Sequence, residues 1–376
     1  VNFFLLSKQE LKLNTESEPK FFKTLFKDLG QFLSDLFSGA FYRQIKRDFR
    51  EIRDFFLDKH REKQLEQMGR FRRGWYLTWW LIKILFLKLS SFRRILLILA
   101  LYLIFTSNNT GDMSGRIIIG ALLFFFIILL ELKDKLLARE ELEAGRSIQK
   151  ALTPQQNPSI SGWDLWLYTR PANDVGGDLV DYLKINGNRF GIAIGDVAGK
   201  GLPAALLMAK LQATLRAVVP DYRSLDKLAN KLNSIFYRDS LPSRFASLVY
   251  LEIKTDSNEI RFVNAGHFPP IVTGHGHLAE MDKGAPALGI MPESKFEEES
   301  FQLKKGDLFI VYSDGVTEAR NESGEFFGEE GLKHILPEIE GLSATQAGKL
   351  ILERVDTFIG EARATDDLSL IILRKF

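Results

Sequence analysis

The chain has 376 residues, with 50 Lys/Arg against 48 Asp/Glu, five histidines and no cysteine, which gives room for two or three units and a sizeable core in at least one. The absence of cysteine excludes disulfides, thiolate metal sites and a cysteine nucleophile. No two of His60, His267, His275, His277 and His334 stand four apart on a helix, so any metal site rests mainly on oxygen ligands, which favours hard ions such as Mg²⁺ or Mn²⁺. The formal charge of +2 hides a split: residues 1–94 carry 20 Lys/Arg against 11 Asp/Glu, and residues 95–376 carry 30 against 37. The two parts are expected to face different partners.

Residues 1–74 read as a basic amphipathic helical region. In "FFKTLFKDLGQFLSDLF", Phe22, Leu25, Phe26, Leu29, Phe32, Leu33 and Leu36 recur at three and four. The pattern resumes in "IKRDFREIRDFFLDK" after a break at Ser38 and Gly39. Such helices lie on an anionic membrane or pack into a small helical domain, and both readings stand.

Residues 75–132 read as a membrane region. "WYLTWWLIKILFLKL" (Trp75–Leu89) is interrupted by Lys83 and Lys88 and flanked by bases on both sides, which suits an interfacial or re-entrant segment. "ILLILALYLIFT" (Ile95–Thr106) and "IIIGALLFFFIILLEL" (Ile117–Leu132) enclose the polar turn "SNNTGDMSGR". Each is shorter than the roughly 20 residues that span a bilayer, so a buried helical hairpin in a soluble domain is the competing reading. The expectation is a transmembrane hairpin over about 92–132. Arg93, Arg94, Lys133 and Lys135 lie outside it, placing both ends in the cytoplasm.

Residues 133–153 read as a helical linker. Leu130, Leu137, Ala144 and Ala151 repeat at seven, but the matching second positions hold Lys133, Glu140 and Ser147. This half-seam leaves open a homodimer through the linker and a single solvated helix. The polar stretch "TPQQNPSISG" then marks a boundary.

Residues 154–376 change texture to short β-like runs: "WDLWLY", "DLVDYLKI", "RFGIAIGDV", "FASLVYLEI", "EIRFVNAG", "DLFIVYSDG" and "DLSLIILRKF". Helical patterns lie at 202–219, 225–238, 329–337 and 344–359. Strands cluster, with a hairpin at "EIKTDSNEIRF", so the fold class is α+β with antiparallel sheets covered by helices.

Four aspartates stand at strand ends: Asp178 in "DVGGDLVDY", Asp196 in "FGIAIGDVAGKG", Asp314 in "FIVYSDGVTEA" and Asp366 in "ATDDLSLIIL", where Asp367 follows. Each alone is a turn signal, and Asp196 is several residues early to cap a helix starting near Leu202. Together, unpaired, they would repel and take up protons. Divalent cations remove that cost, so the pattern points to a metal site.

The segments "IQKALTP", "PANDVGGDLVDY", "IGDVAGKGLPAALLMA", "NAGHFPP", "LFIVYSDGVTEARNESGEFFG" and "TDDLSLIIL" resemble the SpoIIE/RsbU-type branch of the metal-dependent protein phosphatases (PPM), over about 150–376. The resemblance implies an αββα sandwich of two antiparallel sheets flanked by helices, carrying two Mn²⁺ or Mg²⁺ ions. On matching positions, Asp196 would bridge both ions, Asp178 and the Val197 carbonyl would bind one, and Asp314 and Asp366 the other. Asp367 would orient rather than ligate. Water between two cations loses its proton near neutral pH and would serve as nucleophile. Asp174 stands where the family often has glutamate. Arg170 and Arg244 are candidates for the substrate phosphate, and the roles of His267 and Lys200 stay open.

The implied activity is a protein serine/threonine phosphatase at the bacterial inner membrane, acting on a phosphorylated STAS-domain anti-sigma-factor antagonist. Its other expected partners are membrane lipid and a second copy of the chain, with no nucleic acid. "GDVAGKG" has the wrong spacing for a P-loop, and Gly201 replaces its Ser/Thr; "GGDLVDY" lacks the Glu-Phe of a GGDEF signature. The alternative from another class is a phosphatase-fold docking module without turnover.

Overall fold

In the computed structural model, residues 42, 68–106, 113–239 and 244–376 are described. The amphipathic pattern read before residue 68 lies outside the described residues, Tyr42 apart. The chain divides into two compact units at Leu132 and Lys133.

The first unit contains α1 (Arg70–Lys88), α2 (Ser91–Phe105) and the start of α3 (Met113–Leu152). Its apolar side chains turn outward: Trp75 and Trp79 on α1, Ile95 and Ile98 on α2, and Leu122 and Phe125 on α3 are all exposed. Gly120 of α3 lets α2 approach closely, since an added Cβ would stand 2.8 Å from Ile104 Cγ1 and 2.9 Å from the Ala100 carbonyl. Arg93 donates to Glu131 at 2.7 Å, closing the two helices at their other ends. The stretch Gly115–Leu152 is long and apolar enough to cross a membrane. At 15 residues, α2 is only about 22 Å long, short of the roughly 30 Å hydrocarbon core. The second apolar run and the linker form one uninterrupted helix of 40 residues.

The second unit is built from two five-stranded antiparallel sheets. One has the order β1 (Trp163–Arg170), β10 (Leu368–Lys375), β9 (Leu308–Tyr312), β6 (Ile271–Gly274), β7 (His277–Glu280). The other runs β2 (Leu179–Lys184), β3 (Arg189–Val197), β4 (Ala246–Lys254), β5 (Glu259–Ala265), β8 (Glu299–Gln302). Alternation of side chains along the strands makes three cores. Ile192, Ile194, Val249 and Leu251 face Phe309, Val311, Ile371 and Leu373 between the sheets.

On the outer side of the β3 sheet, Ala193, Leu248 and Tyr250 meet α4 (Leu202–Val218) and α5 (Leu225–Asp239). On the outer side of the β10 sheet, Ile310, Leu370 and Ile372 meet α7 (Gly328–Ile335) and α8 (Ala344–Ile359). The short helix α6 (Asp314–Thr317) sits between β9 and α7. The architecture is the αββα sandwich. Leu202–Asp221 is also long and apolar, but it is the core helix α4 with its short continuation.

Gly348 of α8 lies directly on Trp166, where an added Cβ would stand 2.1 Å from the indole. Alanine in a helix interior normally gains about 1 kcal/mol over glycine. Here the clash should win, with Gly348→Ala destabilising by about 1–3 kcal/mol. A thermal melt of the full chain checks this; a raised midpoint would show that the indole gives way freely.

Candidate metal centre

Strand register carries the aspartates to one end of the sandwich. Asp178 immediately precedes β2, whose Leu179 pairs with Gly195, the residue before Asp196. Asp314 opens α6 two residues after β9, and Tyr312 pairs with Leu370, close behind Asp366 and Asp367. Glycines allow the final approach. A Cβ on Gly177 would stand 3.2 Å from the Val197 carbonyl and 3.4 Å from Asp196 Oδ1. One on Gly315 would stand 1.9 Å from the Asp367 carbonyl, so these backbones lie flat on one another.

The gathered carboxylates are electrostatically uncomfortable. Burial pushes the Asp178 carboxyl well above its usual range; Asp196 and Asp367 push the same way, while the hydroxyls of Ser369 and Ser313 oppose them. Its Oδ2 is buried without a hydrogen-bond partner. Asp196 is raised to about 7 by burial and by the charges of Asp314, Asp366 and Asp367. Asp314 is raised to about 6 by burial, Asp366 and Glu318.

Asp367 is spent on the backbone. Its Oδ1 accepts from Ala172 N at 2.8 Å and its Oδ2 from Gly177 N at 2.6 Å, fixing the loop that presents Asp178. Asp366 instead meets the Lys200 ammonium at 2.8 Å, and Lys200 also donates to the Thr365 carbonyl. Arg244 donates to the Ala198 carbonyl at 2.7 Å, and Arg170 makes a two-pronged pair with Asp356 at 2.6 and 3.1 Å. Each arginine thus has a partner within the protein. Asp174 lies exposed in its loop.

His267 is buried and held neutral, its pKa lowered to about 4 by desolvation. Its Nδ1 lies 2.9 Å from Ser247 Oγ, which in turn bonds the backbone N–H and carbonyl of Asp196 at 3.2 and 3.3 Å. Its own N–H donates to Asn264 Oδ1, shaping the "NAGH" turn. Gly201, not Asp196, caps α4.

One contributor had no assigned role in the sequence. The Gln149 amide, on α3, donates to the Gly176 carbonyl at 2.7 Å and accepts from the Gly176 N–H at 3.0 Å. It grips the "VGGD" loop directly before Asp178. Its only sequence signal was its place in "IQKALTP".

The donors fit a hard divalent cation in chemistry: all are oxygen, one is orphaned and buried, and their neighbours hold each other's charge at a cost. Among the described residues, no three acidic or imidazole groups are already closed tightly enough to hold one ion.

Residues 186–376, just over half of the chain, match the family described as Stage II sporulation protein E (SpoIIE). Protein IcfG of Synechocystis is 30% identical over 240 residues, covering 56% of this chain and 37% of that protein. Phosphoserine phosphatase RsbU of Bacillus subtilis is 26% identical over 239 residues, covering 63% of this chain and 70% of that protein. Phosphoserine phosphatase RsbP of Bacillus subtilis is 30% identical over 191 residues, but the chain spans only 46% of it. Among solved structures, the SiaA-PP2C domain of Pseudomonas aeruginosa superposes with a TM-score of 0.57 at 19% identity, covering 65% of this chain and 98% of that one. That likeness shows the fold.

A raised carboxyl pKa means that the folded state holds protons the unfolded chain has released. Stability without metal should therefore fall as pH rises from about 4, the ordinary carboxyl value, through the folded values of about 6 and about 7 for Asp314 and Asp196. Added Mn²⁺ should raise the melting midpoint more at pH 8 than at pH 5. A metal effect independent of pH would contradict this assignment of charge.

Proposed function

The chain belongs to the SpoIIE family, and on that premise we propose that it is a membrane-anchored protein serine/threonine phosphatase. The observation that carries the reading is the orphaned, buried oxygen of Asp178 among carboxyls whose pKa values are lifted by burial and by one another. Asp178, Asp196, the Val197 carbonyl, Asp314 and Asp366 would together hold two Mn²⁺ or Mg²⁺ ions. When bound, such a pair acidifies water and offsets charge on a phosphoryl group.

The remaining groups position. Asp367 fixes the loop bearing Asp178, and the neutral His267 acts through Ser247 on the Asp196 backbone. Lys200 screens Asp366, its own pKa raised by that hydrogen bond. No cysteine or serine nucleophile is needed.

By likeness to RsbU and RsbP, the substrate is a phosphorylated STAS-type antagonist in a partner-switching pathway. Residues 1–74 and 75–132 serve as a basic helical region and a membrane region, 133–153 as linker, and 154–376 as the phosphatase domain. Support for anchoring comes from the apolar length of α3, and for a homodimer from the half-seam along its charged part. The membrane is then the bacterial inner membrane, with the phosphatase domain in the cytoplasm.

Asp196→Asn should lower Mn²⁺-dependent phosphate release from a phosphoserine STAS protein by at least about 100-fold, on the scale of a lost electrostatic catalyst, with an unchanged circular-dichroism spectrum. Activity near wild type would remove Asp196 from the centre. Tight binding of the phosphoprotein by the wild type without release would favour the docking module.

A further inference from the structure

At the site described so far, Arg170 pairs with Asp356, Arg244 donates to the Ala198 carbonyl and Lys200 pairs with Asp366. Beside that site lies a cavity of about 470 Å³ lined by Asp178 and Asp367 and by Arg146 and Lys150 of α3. This volume suits a phosphorylated side chain with its flanks.

Arg146 and Lys150 are four apart on one helical face, where like charges repel. Neither side chain has a hydrogen bond or ion pair among the described residues, and the nearby Glu143 is taken by Arg139 at 3.0 Å. Exposed charges on a helix are ordinarily just solvated. These two differ because they line a cavity together with Asp178, whose Oδ2 is buried and lacks a partner. The oxygen calls for a cation, and the two cations call for an anion. A phosphomonoester held against a metal ion satisfies both demands at once.

We propose that Arg146 and Lys150 are the phosphate-recognition residues of this centre, supplied by the linker helix rather than by the sandwich. The inference rests on the metal reading given above. It makes phosphate affinity depend on where α3 lies, and the Gln149 grip on Gly176 holds that same helix to the loop of Asp178. A shift of the linker would then act on KM.

The test uses the full chain and the double variant Arg146→Gln/Lys150→Gln, with inorganic phosphate as probe. Calorimetry with Mn²⁺ present should show phosphate binding weakened about tenfold or more, a loss of about 1.4 kcal/mol, while Mn²⁺ binding stays at the wild-type level. Hydrolysis of p-nitrophenyl phosphate should show the same rise in KM with kcat changed less than about threefold, and Arg146→Lys/Lys150→Arg should recover most of the loss. Phosphate affinity and KM within about twofold of wild type would overturn the proposal. Loss of Mn²⁺ binding in the variant would also overturn it, since the residues would then act on the metal site. A wild-type chain that binds Mn²⁺ but no phosphate sinks this inference alone; one that binds neither sinks the metal reading with it.

Discussion

Everything at the mouth of the sandwich follows from one constraint: carboxylates brought out of water beside each other repel, and the protein keeps them there. Four strand ends deliver Asp178, Asp196, Asp314 and Asp366 to one place, and burial together with neighbouring charge lifts Asp196 to about 7 and Asp314 to about 6. A fold built only for stability would scatter such groups or pair each with a base. Here Lys200 meets Asp366 alone, and Asp178 keeps an oxygen with no partner. The arrangement makes sense as a receptacle for positive charge.

The scaffold meets that cost through rigid neighbours. Both sheets are buried on both faces in the middle of the sandwich, so strand register fixes where each aspartate emerges. Asp367 spends both oxygens on the backbone N–H groups of the preceding loop. Ser247 holds the Asp196 peptide from the neighbouring strand. The end of α3 joins this frame through Gln149 on Gly176 and through its Leu152 carbonyl, which accepts from Gln212 of α4. A single helix thus touches the loop that leads to Asp178 and the helix that follows the "GDVAGKG" turn.

Much of this was legible in the residues. Period-two and period-three-to-four patterns gave α4, α5, α7 and α8, together with the seven longest strands, β1 to β5, β9 and β10, to within a few residues, because each buries an apolar face. The strands β6, β7 and β8, four residues each, carried too few alternations to register, and β7 is wholly exposed. The convergence of the aspartates was readable because each flanks a strand end. The grip of Gln149 was not, since a polar side chain on a helix carries no mark of what it touches 27 residues away. Arg170 and Arg244 looked available for a phosphate and prove engaged with Asp356 and the Ala198 carbonyl, a tertiary outcome that spacing cannot reveal.

Equilibrium Mn²⁺ binding to the full chain, followed by electron paramagnetic resonance, bears most directly on the claim that these carboxylates exist to hold cations. The account predicts about two ions per chain, close enough to couple magnetically, as in other paired-ion hydrolytic centres. A chain that stays folded at pH 8 and takes up no Mn²⁺ would contradict it.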